Sequence, residues 1–200
     1  MPVPIVYRSG GDVQVNYDFA DVISGTGFFN LYLAQALDDT ASNTYFATRD
    51  VGYMSNTVLT ENTNVNFDYT LDRPLTIHGD VTVNLNWGGT FPAGGSGNGV
   101  VTVKLQHFDG TTATDLGDAN SGNVMVSGSS QQYFYSGLVI PITTPVHFKK
   151  GETIRIRFEK TSGGNPNVQI AHDPADRTSW GAGSNVTASS FARIPLRLDI

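Results

Sequence analysis

The four histidines are the residues of this chain best suited to metal binding or proton transfer. They stand at His78, His107, His147 and His172. None forms the His-x-His or His-Glu-x-x-His pair that would place two ring nitrogens on one metal. His78 and His107 can share a site if their strands are neighbours, but such a pair on a sheet is more often a hydrogen-bonded surface feature. The spacing therefore predicts no histidine metal site.

The carboxylates offer two further kinds of chemistry. Asp109, Asp115 and Asp118 share one polar segment and supply hard oxygen ligands, but their spacing does not match the Asp-x-Asp-x-Asp-Gly calcium loop. A glycosidase needs two acids that face one cleft, and the sequence brings no pair of acids together. The only glutamates are Glu61, Glu152 and Glu159. We therefore expect no enzyme activity and no cofactor, with Ca²⁺ as the one ion that the aspartates leave open.

Two glycine-rich or polar segments interrupt the apolar runs. Residues 88–99 contain a run from Gly94 to Gly99 without the Gly-Lys-Ser/Thr of a phosphate-binding loop, and a segment so rich in glycine favours a flexible loop over a strand. Residues 109–122 form a second polar segment. Both are predicted to be loops that contact neighbouring molecules.

Four aromatic residues give an alternative, carbohydrate-binding interpretation. Exposed aromatic rings stack on sugars, whereas aromatics at alternating positions in a strand more often belong to the core. The candidates are Trp87, Trp180, Tyr133 and Tyr135. A carbohydrate-binding jelly-roll module thus stays open as a second reading.

The elements that must position these residues are strands. Between Leu75 and Trp87, apolar side chains alternate with polar ones, which is typical of an antiparallel strand with one buried face. The same alternation occurs at 13–19, 65–71, 101–105, 153–159 and 194–200. The pattern predicts an all-β fold, an antiparallel β-sandwich of the jelly-roll or Greek-key type with about 8–11 strands and almost no helix. A closed barrel is the alternative.

Composition limits the classes of partner. The chain has 200 residues, 39% of them hydrophobic, no cysteine, and a net charge of −6, which suits one domain without disulfides and disfavours nucleic acid. No apolar run is long enough to span a membrane, and the first residues carry no signal-peptide pattern. We predict an extended N-terminal arm over 1–12 and a single jelly-roll domain over 13–200.

Three sequence features resemble one group of proteins. Ser24-Gly25-Thr26-Gly27 precedes an aromatic strand, Arg73-Pro74 precedes the long alternating strand, and His172-Asp173-Pro174 precedes the closing segment that ends at Ile200. In this the chain resembles uncharacterised virion structural proteins of tailed bacteriophages with a jelly-roll-like β-sandwich. The resemblance implies a virion component and carries no catalytic residue.

We therefore expect a virion structural protein without enzyme activity, assembled in the host cytoplasm and located in the virion. A capsid-associated decoration or auxiliary protein is the first choice, and a tail or baseplate component is the alternative. Its partners would be copies of itself, in a homo-oligomer such as a trimer, and the major capsid protein or other virion proteins. The predicted contacts are Pro2, Pro4 and Arg8 in the arm and the basic residues Lys149, Lys150, Arg155, Arg157, Arg193 and Arg197.

Overall fold

The fold comes from a computed structural model, which describes residues 26–35, 45–49, 64–91, 95–130, 132–160, 167–171 and 190–197. The predicted arm at 1–12 and the predicted strand at 13–19 lie outside these residues. Within them, no helix has the length and apolarity needed to cross a membrane. The strands are β1 (Thr26–Gln35), β2 (Tyr45–Thr48), β3 (Val65–Thr70), β4 (Leu75–Thr90), β5 (Ser96–Gly99), β6 (Val101–Phe108), β7 (Ala113–Asn120), β8 (Val124–Ser127), β9 (Gln132–Phe148), β10 (Thr153–Lys160), β11 (Asn167–Ala171) and β12 (Phe191–Arg197).

Ten of these strands belong to one hydrogen-bonded sheet. Its path runs β9-β4-β12-β1-β2-β3-β10-β6-β7, with β11 beside the C-terminal part of β4, and β5 pairs with β8 separately. Strand β1 contacts β3 across the short strand β2, and β9 contacts both β6 and β7, so β9-β4-β12-β1 packs over β3-β10-β6-β7. All pairs are antiparallel except β2 with β3, which meet in parallel at Phe46 and Asp68. The predicted all-β sandwich of the jelly-roll type is confirmed.

The core lies between these two layers. In β4 the alternation places Ile77, Val81, Val83, Leu85 and Trp87 inside, all almost fully buried. At the open end of the path, the two edge strands approach each other closely. A Cβ added to Gly117 in β7 would lie 2.8 Å from Cγ2 of Ile140 in β9. The layers are thus in direct van der Waals contact there.

Prolines mark β9 as an edge strand. Among the described strands β9 pairs only with β4, and Pro141 and Pro145 on it are exposed. Proline has no N–H to donate, so an edge is where a strand tolerates it. This agrees with the prediction that these prolines suit edges and corners.

The prediction that 88–99 and 109–122 are loops is wrong for most of their described residues. Strand β4 continues to Thr90, Ser96–Gly99 forms β5, and Ala113–Asn120 forms β7. The glycines are explained by packing, because a Cβ at Gly95 or Gly97 would lie 2.5 Å or 2.6 Å from the Phe91 ring. These strands bring the number described to twelve, beyond the expected 8–11.

Candidate functional site

The sandwich has two outer faces that differ in chemistry. We call the outward side of β3-β10-β6-β7 the charged face, which contains Asp68, Lys104, Gln106, Phe108, Asp115, Asp118, Arg155, Arg157 and Glu159. We call the outward side of β9-β4-β12-β1 the aromatic face, which contains Phe28, Asn30, Tyr32, Asp80, Thr82, Asn84, Tyr135, Gly137, Val139, Phe191 and Arg193.

A two-pronged ion pair holds one row of the charged face. Strands β3 and β10 place Asp68 opposite Arg155, and the guanidinium donates two hydrogen bonds to the carboxylate, at 2.7 Å and 2.8 Å. The same guanidinium lies 4.1 Å from the centre of the Phe108 ring. Hydrogen bonding to Asp68 raises the pKa of Arg155. Asp68 thus balances the charge of this arginine, and Asp68 and Phe108 together fix the orientation of its guanidinium.

A second group of charges connects β10, β6 and β7. Nζ of Lys104 lies 3.1 Å from Glu159 and 3.8 Å from Asp115, and the hydrogen bond to Glu159 raises the pKa of Lys104. Nε of Arg157 lies 2.7 Å from Oε1 of Glu159, an ion pair in which the N–H is not aimed at the oxygen. Gln106 donates to Asp115 across 2.6 Å. Every lysine and arginine of this face therefore has a carboxylate beside it.

The structure does not gather the predicted contact residues into one patch. Arg155 and Arg157 lie on the charged face, whereas Arg193 lies on the aromatic face, exposed and 4.2 Å from the centre of the Phe28 ring. Lys149 and Lys150 are exposed in the turn before β10.

The remaining predicted contacts are not placed. Arg197 ends β12, but its side chain lies outside the described set, as do Pro2, Pro4 and Arg8 of the arm. Partner binding by all nine residues stays a prediction.

Tyr135 is the main exposed aromatic of the aromatic face. Its side chain is 59% exposed, and its hydroxyl donates to Oδ1 of Asn84 across 2.8 Å. Val139, two positions beyond Gly137 on the same strand, is 52% exposed. Between these two side chains, Gly137 leaves the backbone of β9 uncovered opposite Asn84. We call this feature, bounded by Tyr135, Gly137, Val139 and Asn84, the Gly137 notch.

Polar and aromatic side chains continue the face across β12 and β1. Phe191 lies opposite Asn84 and contacts Tyr32, with ring centres 5.7 Å apart. In the next row, Thr82 lies opposite Arg193, which lies opposite Asn30. The face therefore combines half-buried rings with amide, hydroxyl and guanidinium groups.

The other predicted sugar-stacking aromatics do not share this exposure. Trp87 is fully buried, and its indole N–H donates to Oγ of Ser136 across 3.0 Å. Its ring contacts that of Phe134 in a tilted arrangement, with ring centres 4.7 Å apart. Tyr133 is half-buried, and Trp180 lies outside the described residues. Of the three candidates that the structure describes, Tyr135 is the one whose ring is exposed to a ligand.

The histidines are distributed differently from the expected pair. His78 is on β4 and His107 on β6, which are not adjacent strands. His107 instead lies 2.7 Å from Oε2 of Glu152, with its ring centre 4.3 Å from that of Phe148. The two residues are 45 positions apart, and only the pairing of β6 with β10 brings them together.

The remaining histidines do not join this pair. Nδ1 of His147 lies 3.2 Å from Oγ1 of Thr76. His172 is outside the described residues.

Glu152, the acid of the His107–Glu152 pair, is held by a second hydrogen bond. Its Oε2 accepts the backbone N–H of Lys149 at 2.8 Å as well as the contact from His107. These interactions lower the pKa of Glu152, the hydrogen bond from Lys149 most of all, so the group is ionised at neutral pH. A His–Glu pair of this kind orients the imidazole ring. Residue spacing does not reveal this pair, because its two residues are 45 positions apart.

The three loop aspartates do not converge. Asp109 accepts the backbone N–H groups of Thr111 and Thr112 at 2.8 Å and 2.7 Å, which lowers its pKa. Asp115 is engaged with Gln106 and Lys104. In the described ranges, no three carboxylate or imidazole side chains are grouped closely enough to hold a metal ion. The absence of a cofactor, with Ca²⁺ left open by the aspartates, stays a prediction.

Comparison with known proteins identifies the fold within larger enzymes. A CocE/NonD family hydrolase from Staphylococcus aureus matches 86% of this chain with a TM-score of 0.54 and 11% identity. An aminopeptidase from a marine sediment archaeon, Thaumarchaeota archaeon, matches the same share with a TM-score of 0.51 and 7% identity. In both cases the match spans 37% of the enzyme chain. No protein-family model matches this chain, and no curated protein does.

These neighbours contradict the prediction that the chain is not an enzyme. The fold that it shares with them occurs as a part of hydrolase chains, so the absence of catalytic motifs in the sequence is no ground for excluding enzyme activity. Matches to a carbohydrate-binding domain of a xylanase and to infectious bursal disease virus have TM-scores of 0.24 and 0.31, which are too low to carry an argument. The comparison therefore shows a shared fold and no shared role.

Proposed function

We propose that this chain is a structural jelly-roll module of a tailed-phage particle and that its charged face binds a neighbouring protein of the particle. The observation that carries the proposal is the charge balance of that face. Lys104, Arg155 and Arg157 each have a carboxylate of the same face within 4 Å. A partner that covers these three cations leaves each of them beside a counter-charge, which avoids the main cost of burying a cation.

The sequence resemblance supports a partner in the particle. Only 15% of the residues are charged, against roughly 25% in an ordinary soluble domain, so much of the surface is of the neutral, hydrogen-bonding kind. Lys149 and Lys150 lie in the turn directly before β10, where their positive charges suit an acidic neighbour. Many copies on one particle would allow each contact to be weak. A capsid-associated position is the first choice, and a tail or baseplate position uses the same face.

The test compares one charge reversal on each face. Asp118 and Asp80 are both exposed, the first on the charged face and the second on the aromatic face. We expect Asp118→Arg to weaken binding to particles assembled without this protein at least tenfold, and Asp80→Arg, which changes the net charge equally, to leave it unchanged. Cosedimentation measures both. A wild-type chain that neither cosediments with particles nor self-associates would contradict the proposal.

A second candidate follows from the structural comparison. The chain covers about a third of two hydrolases that share its fold, and His107 lies 2.7 Å from Oε2 of Glu152, so hydrolysis by this chain itself, with His107 as the base, is the second candidate. Hydrolysis of p-nitrophenyl acetate by the purified chain, lost in His107→Ala, would favour this candidate. Particle binding without turnover would favour the first.

A further inference from the structure

Gly137 is a strand glycine that the fold itself does not require. Gly117 and Gly89 sit where a Cβ would approach other atoms to 2.8 Å and 3.0 Å, and Gly79 and Gly151 have positive φ angles. Gly137 shows neither feature. Among described atoms, a Cβ there would meet only Oδ1 of Asn84, at 4.0 Å. Because glycine weakens the interior of a strand, its presence there often marks the close approach of a ligand or another chain.

The Gly137 notch is open and bounded by groups of different chemistry. Tyr135 and Val139 stand on the same face four positions apart, which separates their Cα atoms by roughly 13 Å along the strand. The Tyr135 ring leans toward the row of Asn84, yet none of its atoms comes within 4 Å of the Cβ position of Gly137. Among the described residues, the space between the two side chains is therefore free for one small ring, with the β9 backbone as its floor.

The polar groups beside the notch are oriented before any ligand arrives. Asn84 uses Oδ1 to accept from Tyr135, which leaves the two N–H groups of its amide for a ligand oxygen. This bond also fixes the Tyr135 ring, so stacking on it does not require the ring to be ordered first. The hydroxyl of Thr82 lies two positions from Asn84 on the same face of β4, opposite Val139.

An aromatic wall, an amide donor and a bare backbone floor match a sugar ring. A pyranose with equatorial hydroxyls offers a flat C–H surface for stacking and a rim of hydroxyls for hydrogen bonds. Asp80 and Arg193 carry opposite charges on this face, which favours a neutral ligand. A nucleotide fits poorly, because one arginine on a chain of net charge −6 provides little for a phosphate backbone.

We propose that the Gly137 notch is a binding site for one ring of a neutral, equatorially substituted saccharide, with Tyr135 stacking on the ring and Asn84 and Thr82 bonded to its hydroxyls. The site lies on the face opposite the charged face. The proposal is therefore independent of the proposed particle contact, and a particle-bound chain would still present the notch outward.

The experiment titrates cellotetraose into the ¹⁵N-labelled full chain and follows the amide signals, with maltotetraose as the comparison ligand. We expect shifts confined to the neighbourhood of 82–84 and 135–139, with a dissociation constant on the order of 1 mM for a single stacked ring. Gly137→Val should fill the notch without clashing inside the protein and weaken binding at least tenfold. Tyr135→Ala should do the same.

The control is Thr143→Val, on the exposed part of β9 outside the notch, which should bind as the wild type does. Thermal unfolding of each variant separates loss of the site from loss of the fold. The proposal is overturned by a wild type that gives no shifts with either oligosaccharide, or by a folded Gly137→Val variant with undiminished affinity. Loss of particle binding in Gly137→Val without saccharide binding would assign the notch to a protein partner instead.

Discussion

The hydroxyl of Tyr135 bonds to Asn84 although the strand register places Tyr135 opposite Asn86 and Asn84 opposite Gly137. The contact is therefore diagonal, and it crosses toward the one position of the row that has no side chain. A Cβ at position 137 would stand beside this contact and would meet only Oδ1 of Asn84, at 4.0 Å. This relationship links the conformation of an exposed aromatic to a glycine two residues away.

Removal of that hydroxyl should cost little stability. Tyr135→Phe breaks a bond that is 2.8 Å long but exposed to solvent, so we expect the free energy of unfolding to fall by no more than about 1 kcal/mol. Urea unfolding measures this change, and ring-proton NMR should show a more mobile ring. A loss above about 2 kcal/mol would mean that the bond supports the fold rather than the orientation of the ring.

Two glycine-to-alanine substitutions should have opposite outcomes. Gly117→Ala places a methyl group 2.8 Å from Cγ2 of Ile140, and we expect it to destabilise the fold by about 1–3 kcal/mol through overpacking between β7 and β9. Gly137→Ala, with its nearest described neighbour at 4.0 Å, should be neutral or stabilising. Thermal unfolding under identical conditions compares them. Equal effects would contradict the close contact between the two edge strands.

Trp87 should be a major contributor to the core. Trp87→Ala removes a fully buried ring that contacts Phe134 and donates to Ser136, and we expect a loss of about 3–5 kcal/mol. Chemical unfolding followed by circular dichroism gives the value. Thr144→Ala, at an exposed position on β9, serves as the control and should change stability by less than about 0.5 kcal/mol.

Arginine at position 155 should not be replaceable by lysine. Arg155→Lys keeps the charge but loses the two-pronged bond to Asp68 and the stacking on Phe108. Because the pair is partly solvated and screened, we expect a loss of about 1 kcal/mol. A double-mutant cycle with Asp68→Asn should show a favourable coupling energy between Arg155 and Asp68. Additive effects of the two substitutions would contradict the pairing.

A fall in pH should reduce the contribution of Glu152 to the free energy of unfolding. Its pKa is lowered from 4.5 by the backbone N–H of Lys149 and by His107, so its ionised form is favoured in the native state. The associated stability is present above the unfolded-state pKa and is lost as the pH falls through the lower native value. The stability advantage of the wild type over Glu152→Gln should shrink below about pH 4.5. Unfolding curves at several pH values test this, and a difference that grows in acid would contradict it.

Much of the fold could be predicted because alternation is a local property. The run from Leu75 to Trp87 faces inward at every odd position from Ile77, apart from Gly79, as a two-residue period requires. Predictions based on composition failed where the reason for a residue lies elsewhere in the chain. Segment 95–99 contains glycines because Phe91, Trp87 and Val126 lie against it, and a glycine-rich segment that packs on aromatic rings looks in sequence like a flexible loop.

The candidate sites depend on pairings between distant parts of the chain. Arg155 and Asp68 are 87 positions apart, and His107 and Glu152 are 45 positions apart. Neither pair could be predicted from residue spacing or composition. The sequence by itself determined which side of each strand is buried, since that follows from apolar periodicity. Tertiary structure alone decided which exposed residues become neighbours, because strand order and register, set by the packing of the whole core, bring them to one face.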